Sequence, residues 1–258
     1  MIKKNNIYGI ISVRTSSSRL NNKCLLDFGG ISVLEHIIVR CQLNDIQPIV
    51  CTTDEKRDDI IVQISRNLGV LYFRGPKKNK LLRWFYCCES FGIKYFHTID
   101  ADDPFFDGKS IKRSMKLLQN KKFDIILPSK ISREGGASEG YSITLKCLKK
   151  IIYSKNLKML NSNYDTEILE AFIKDKNLKS MVLKGSAYQI KDARLTLDYI
   201  DDYKLLKKIA EKCGNFSSRS FINGFLKKNK NILKINSKKT DDWKLKQLLF
   251  LKKKSYEK

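Results

Sequence analysis

Near the start of the chain, Arg14-Thr15-Ser16-Ser17-Ser18-Arg19-Leu20-Asn21-Asn22-Lys23 follows directly on the apolar run Ile7–Val13. A strand that opens into a loop with fixed positive charge and small hydroxyl side chains suits the grip of a polyphosphate. Arg14, Arg19 and Lys23 can offset triphosphate charge, and small residues such as Ser12 and Ser17 let the backbone approach closely. A solvated basic turn would carry the same residues, so this stretch does not decide alone. A second constellation is Thr98-Ile99-Asp100-Ala101-Asp102-Asp103-Pro104, three carboxylates at the end of another apolar run. Crowded carboxylates are costly unless a cation compensates them. A divalent ion bridging to phosphates would do so; otherwise Asp103 caps the next helix and its neighbours are solvated. A third is Arg194-Leu195-Thr196-Leu197-Asp198-Tyr199-Ile200-Asp201-Asp202, where Asp198 ends an expected strand and Asp201 or Asp202 can cap a helix. Asp102 and Asp198 on neighbouring strand ends would make a sparse Mg²⁺ site completed by phosphates and water.

The elements that must position these residues alternate. Strands are expected at Ile7–Val13, Pro48–Cys51, Val70–Phe73, Lys94–Ile99 and Asp124–Leu127. Helices are expected from Ser32 as N-cap to Cys41, over 58–67 with Gly69 closing, over 80–91, and from beyond Gly108 to about Leu118. That order predicts an α/β fold, a mostly parallel sheet sandwiched by helices, with ligands beyond the carboxyl ends of the strands. The second half is less regular: a glycine-rich turn at 133–136, a strand at Tyr141–Thr144, helices near Leu145–Tyr153 and Thr166–Ile173, and a strand at Ala193–Leu197. Residues 1–258 read as one domain with a basic helical tail from about 217.

Composition narrows the chemistry. The chain has two histidines, His36 and His97, which nearly excludes a histidine-built metal site; His97 falls inside a strand and reads as packed. Seven cysteines without C-x-x-C spacing read as reduced, buried thiols. The net charge of +24 is concentrated in the tail, where residues 203–258 carry 17 basic and 4 acidic side chains, and the tail is expected to be solvated surface. No aromatic-rich basic strand, zinc finger or recognition-helix pattern accompanies the charge, so nucleic acid is not the expected partner. Neither a membrane span nor a secretory leader is read, and a cytoplasmic location is expected.

Taken together, these segments resemble the cytidylyltransferases that make CMP-activated acidic sugars, closest to the spore-coat polysaccharide biosynthesis protein F branch. CMP-3-deoxy-octulosonate and CMP-sialate synthetases are more distant relatives. Arg14–Lys23 resembles the family's A-R-x-x-S-x-R-L-P-G-K loop, and Gly30–His36 resembles G-K-P-V-L-E-H. Thr52-Thr53-Asp54 with Asp58-Asp59-Ile60 resembles T-T-D…D-D-x-I, and Phe73-Arg74-Gly75 with Leu81 and Arg83 resembles F-R-G…V-L-x-R. Thr98–Pro104 and Thr196–Asp202 resemble T-G-D-D-P and T-L-D-Y-P-E-D. The resemblance implies a nucleotide-diphospho-sugar-transferase-like, Rossmann-like fold. The implied activity is transfer of CMP from CTP to an acidic sugar for surface polysaccharide biosynthesis, with Mg²⁺ as cofactor and a homodimer as the assembly. It implies Lys23 and Arg14 as catalytic residues, and Ser12, Arg14, Ser17, Arg19, Lys23, Thr52 and Asp54 around the nucleotide. Asp102 and Asp198 hold metal on this reading, and Arg74, Arg83 and Glu139 meet the acceptor. Asn21-Asn22 stands where the family has Pro-Gly, so another loop shape or weaker nucleotide affinity is expected. Ala101 replaces a glycine, and residues 129–189 show little of the pattern beyond Glu139. Another nucleotide-dependent sugar transferase on this fold, or a non-catalytic nucleotide-binding relative, would share most of these residues.

Overall fold

A computed structural model describes residues 6–17, 19–120, 122–133, 139–153, 157–173, 177–185, 190 and 193–256. The first half runs β1 (Ile7–Ser12), α1 (Val33–Leu43), β2 (Ile46–Thr53), α2 (Asp59–Asn67), β3 (Leu71–Gly75), α3 (Lys80–Phe91), β4 (Tyr95–Asp100) and α4 (Gly108–Asn120). The second half has β5 (Ile125–Leu127), α5 (Lys130–Arg133), β6 (Ser142–Thr144), α6 (Leu145–Ile152), α7 (Glu170–Ile173) and β7 (Ser180–Val182). Helices α8 (Ile200–Cys213), α9 (Arg219–Lys228) and α10 (Lys239–Tyr256) follow.

The strands form one sheet in the order β3-β2-β1-β4-β6-β5-β7. Pairings β1–β2, β2–β3, β1–β4 and β5–β7 are parallel, whereas β6 runs antiparallel to both β4 and β5. Because strand side chains alternate faces, β1 sends Ile11 into the apolar layer under α1, α4 and α8, and Tyr8 and Ile10 into the layer under α3 and α6. Strand β2 does the same with Ile46 and Val50 against Ile49 and Cys51. From β1 the order proceeds outward through β2 and β3 on one side and jumps to β4 on the other. The carboxyl ends of β1 and β4 therefore flank the topological switch point, where open α/β sheets bind ligands. Ser12 and Asp100 are register partners there.

Local chemistry fixes the elements packed beside these strands. Ser32 and Glu35 form a reciprocal capping box at the start of α1, Glu35 N donating to Ser32 Oγ (3.2 Å) and Ser32 N to Glu35 Oε2 (2.7 Å). Gly140, with φ 66°, lies so close to β4 that any Cβ would collide with the Thr98 carbonyl, so only glycine fits.

Three expectations for the second half are corrected, and one strand was not expected. Ala193–Leu197 is not a strand: its Leu197 N–H donates to Asp102 O (2.7 Å), in the loop beyond β4, and Asn236 binds the Arg194 carbonyl. The helix expected over 166–173 is helical only at Glu170–Ile173, because Thr166 is tied to the start of α3 through Leu81 N and Lys78 O. Strand β7, short and mostly exposed, carries too weak an alternation to be anticipated. The tail is not wholly solvated: Ile222, Leu226 and Leu233 are buried in the main apolar cluster. Glu134–Gly136 of the expected turn lie outside the described residues. No helix among the described residues is long and apolar enough to cross a membrane.

Both histidines are buried. His36 Nε2 donates to Pro104 O (2.9 Å), and its Nδ1 has no partner among the described residues. His97 Nε2 donates to Glu139 O (2.6 Å) and Nδ1 accepts from Ser142 Oγ (2.8 Å). Burial pushes each imidazole down from 6.5 to about 4. Between those values the unfolded chain binds protons that the folded chain refuses, so acidification destabilises the fold. Asp100, pushed up by burial from 3.8 to about 6, works in the opposite direction below pH 6. The two histidines outweigh it. Unfolding stability is expected to fall by about 2–3 kcal/mol from pH 7 to pH 5; an unchanged urea midpoint between those pH values would contradict this.

Candidate active site

The loop after β1 is held from below. Val13 N–H donates to Cys51 O (3.3 Å), while Ser17 N–H and Asn22 N–H both donate to Thr15 O (2.9 and 3.0 Å). This folds the loop back on itself and delivers Lys23 into a short 3-10 turn, Lys23–Leu25. Asn22 takes φ 53° and ψ 24°, the left-handed conformation that glycine adopts freely and asparagine tolerates better than most residues. The Asn21-Asn22 departure thus retains a backbone that a glycine at that place would provide.

On one wall of the crevice, Lys23 Nζ donates to three oxygens: Asp102 Oδ2 (2.8 Å), Leu197 O (2.9 Å) and Asp198 Oδ1 (3.0 Å). Asp198 Oδ1 also accepts from Arg19 (2.6 Å), and its Oδ2 from Arg194 (2.8 Å). Buried Arg194 reaches on to Asp202, whose Oδ2 accepts the Asp198 and Tyr199 N–H groups at the start of α8. Asn236 completes the network by donating to Asp202 Oδ1 (2.8 Å). Burial opposes charge on Lys23, yet Asp102 and Asp198 outweigh it and hold the ammonium above its ordinary pKa. Burial likewise opposes the Asp198 carboxylate, and Lys23 and Arg19 reverse that, holding it well below the usual carboxylate range.

The facing wall is also charged. Arg14 pairs with Glu167 (3.4 Å), and Lys80 lies 4.0 Å from the same carboxylate and 5.2 Å from the Trp84 ring centroid. Trp84 Nε1 donates to Ser12 Oγ (2.7 Å). Between the walls lies a cleft of about 190 Å³, floored by Ser12, Asp100 and Asp102. The structure brings Ser12, Arg14, Ser17, Arg19, Lys23, Arg83 and Asp102 to this cleft, with Asp198 bonded directly behind Lys23. Other expected residues lie elsewhere. Thr52 is buried in β2 and Asp54 is exposed. Arg74 is engaged by Asp59, Thr53 O and Glu55 O. Glu139 is buried beside α5, accepting from Ser129 N (2.8 Å).

The sequence profile of the cytidylyltransferase family matches residues 8–252. The chain belongs to this family. Among its relatives, an uncharacterized protein of Methanocaldococcus jannaschii is 34% identical over 240 residues, covering 90% of this chain and 94% of that protein. The 3-deoxy-manno-octulosonate cytidylyltransferase of Rickettsia canadensis is 24% identical over 163 residues, covering 59% of this chain and 64% of the enzyme. A cytidylyltransferase structure from Leptospira borgpetersenii superposes with a TM-score of 0.74 at 22% identity, covering 88% of this chain and 95% of that one.

In this cytidylyltransferase the carboxylates suit a hard cation. Asp100, Asp102 and Asp103 each present an oxygen within 4.8 Å of the others, and Asp102 and Asp198 share one cation, the Lys23 ammonium. All are oxygen donors, the set that Mg²⁺ prefers. Sequence reasoning missed three residues of the site. Lys80 and Glu167 reach the cleft from remote segments, with no local pattern to mark them. Asp58 lies beneath it, fully buried, accepting from Thr15 N (2.8 Å), Thr15 Oγ1 (2.6 Å) and Thr53 Oγ1. It fastens the cationic loop to β2 and so fixes the orientation of Arg14 and Lys23. Asp58→Asn keeps the shape but loses one accepting oxygen. It is expected to raise KM for the nucleotide about tenfold while kcat changes less than about threefold. Steady-state kinetics showing the reverse split would remove Asp58 from this positioning role.

Proposed function

We propose that the protein transfers CMP from CTP to an acidic sugar, forming a CMP-sugar and pyrophosphate that serve surface polysaccharide synthesis. The observation that carries this reading is a cleft at the switch point that gathers Arg14, Arg19 and Lys23 of one loop together with Asp100 and Asp102. Family membership supports CTP as the nucleotide. The octulosonate substrate in the name of the rickettsial relative supports an acidic sugar.

The reaction is in-line displacement: an acceptor hydroxyl oxygen bonds to the α-phosphorus, the bond to the bridging oxygen of pyrophosphate breaks, and the hydroxyl proton passes to water. Little covalent chemistry falls to the protein, whose work is positioning and charge stabilisation. Arg14 and Arg19 bind the triphosphate, and Ser12 and Ser17 allow close approach. Lys23 stabilises charge developing on the departing pyrophosphate. Asp102 and Asp198 hold Mg²⁺, which when bound neutralises phosphate charge and polarises the α-phosphoryl group. Of the three residues expected to meet the acceptor, Arg83 lines the cleft. With Lys80 it is our assignment for the sugar carboxylate.

Thermal shift with CTP, UTP, GTP and ATP, each with and without Mg²⁺, tests the nucleotide assignment. Selective stabilisation by CTP with Mg²⁺ is expected. Equal shifts for all four nucleotides, or none, would overturn it.

A further inference from the structure

The three oxygens around Lys23 Nζ come from two carboxylates and one backbone carbonyl: Asp102 Oδ2, Asp198 Oδ1 and Leu197 O, all within 3.0 Å. This is an ammonium seated in a donor set that a hard divalent cation would also accept. The other oxygen of Asp198 is not free to offer an alternative, since Oδ2 accepts from Arg194, itself buried and fixed by Asp202. A divalent ion binding these carboxylates at contact distance, about 2.1 Å for Mg²⁺, competes directly with Nζ for the same oxygens.

Lys23 is the group able to leave. Its side chain borders the cleft and retains some exposure, whereas Arg194 has almost none. The stem of Lys23 is a flexible four-carbon chain, and phosphate oxygens in the cleft would accept its three N–H groups. Arg19 stays on Asp198 Oδ1 (2.6 Å) and keeps that carboxylate partly compensated during the exchange.

We infer that Lys23 occupies the divalent-cation position in the nucleotide-free protein, and that nucleotide opens the metal site by drawing the ammonium onto its phosphates. The inference rests on the proposed reading of the cleft as a nucleotide site. Metal and nucleotide then bind with positive coupling, each raising the affinity for the other by the same factor. Lys23 thereby has two positions, one guarding the carboxylates and one on the phosphates. Metal without nucleotide meets a site already filled.

Mn²⁺ titration followed by electron paramagnetic resonance tests this with no turnover involved. Without nucleotide, Lys23→Met is expected to bind Mn²⁺ at least about tenfold more tightly than the wild type, a coupling of ordinary allosteric size. Adding Asp102→Asn to Lys23→Met should abolish the gain. Lys23→Ala, which also leaves the three oxygens without an occupant, provides the same comparison should Lys23→Met fail to fold. Equal Mn²⁺ affinity in wild type and the Lys23 variant would overturn the inference, as would a gain that survives Asp102→Asn. Because these titrations contain no CTP, their outcome is separate from nucleotide preference, which tests the proposed function itself.

Discussion

Lys23→Ala lowers turnover by about 10²–10³-fold, the range typical for removing one group that stabilises transition-state charge. The expectation follows from where the ammonium lies. It borders the cleft, it is bonded to both Asp102 and Asp198, and those carboxylates keep it charged despite burial. The fold should survive the change. Asp198 retains Arg19 and Arg194, and Asp102 is exposed enough to be solvated. Circular dichroism and a thermal melt establish folding, and kcat is then read at saturating nucleotide. Near-normal turnover in folded Lys23→Ala would remove Lys23 from the mechanism.

Asp102→Asn should cost a similar factor, about 10²–10³ in kcat, for a different reason. Asparagine has the size of aspartate and leaves an oxygen for the Lys23 N–H groups, so the ammonium can stay seated. What disappears is one full negative charge from a pair that shares a cation. Metal affinity falls with it, and raising the Mg²⁺ concentration should recover part of the lost turnover. A folded Asp102→Asn enzyme with normal kcat and unchanged Mg²⁺ dependence would show that the carboxylate is not a metal ligand.

The first four strands and their helices were legible because each is a short apolar run followed by an amphipathic segment, two of them with a readable cap. Ser32 before Val33-Leu34 marks the start of α1, and Gly69 marks the end of α2. The segment 193–197 misled because alternation of Ala193, Leu195 and Leu197 with Arg194 and Thr196 imitates a half-buried strand, whereas Arg194 is itself buried to hold Asp198 and Asp202. The same holds for 166–173, where tertiary bonds from Thr166 override helical spacing and leave Glu167 in the cleft.

Site residues were readable where one loop carries several of them, as in Arg14–Lys23 and Asp100–Asp102. They were hidden where the fold gathers single residues from afar. An aspartate just ahead of a helix reads as a cap, and nothing in the order of residues shows that Asp58 instead turns inward to Thr15, forty-three positions earlier. Thr52 and Asp54 are expected near the nucleotide; at that strand end the structure bonds Thr53 to Asp58.

The central claim is tested most directly by pyrophosphate release in a coupled assay. The purified protein is given Mg²⁺ and each of the four nucleoside triphosphates, against a panel of acidic sugars that includes 3-deoxy-manno-octulosonate. The account predicts release that requires CTP together with one of the acidic sugars, with a CMP-sugar of matching mass. Release from UTP, GTP or ATP in preference to CTP, or transfer to neutral sugar phosphates alone, would contradict it.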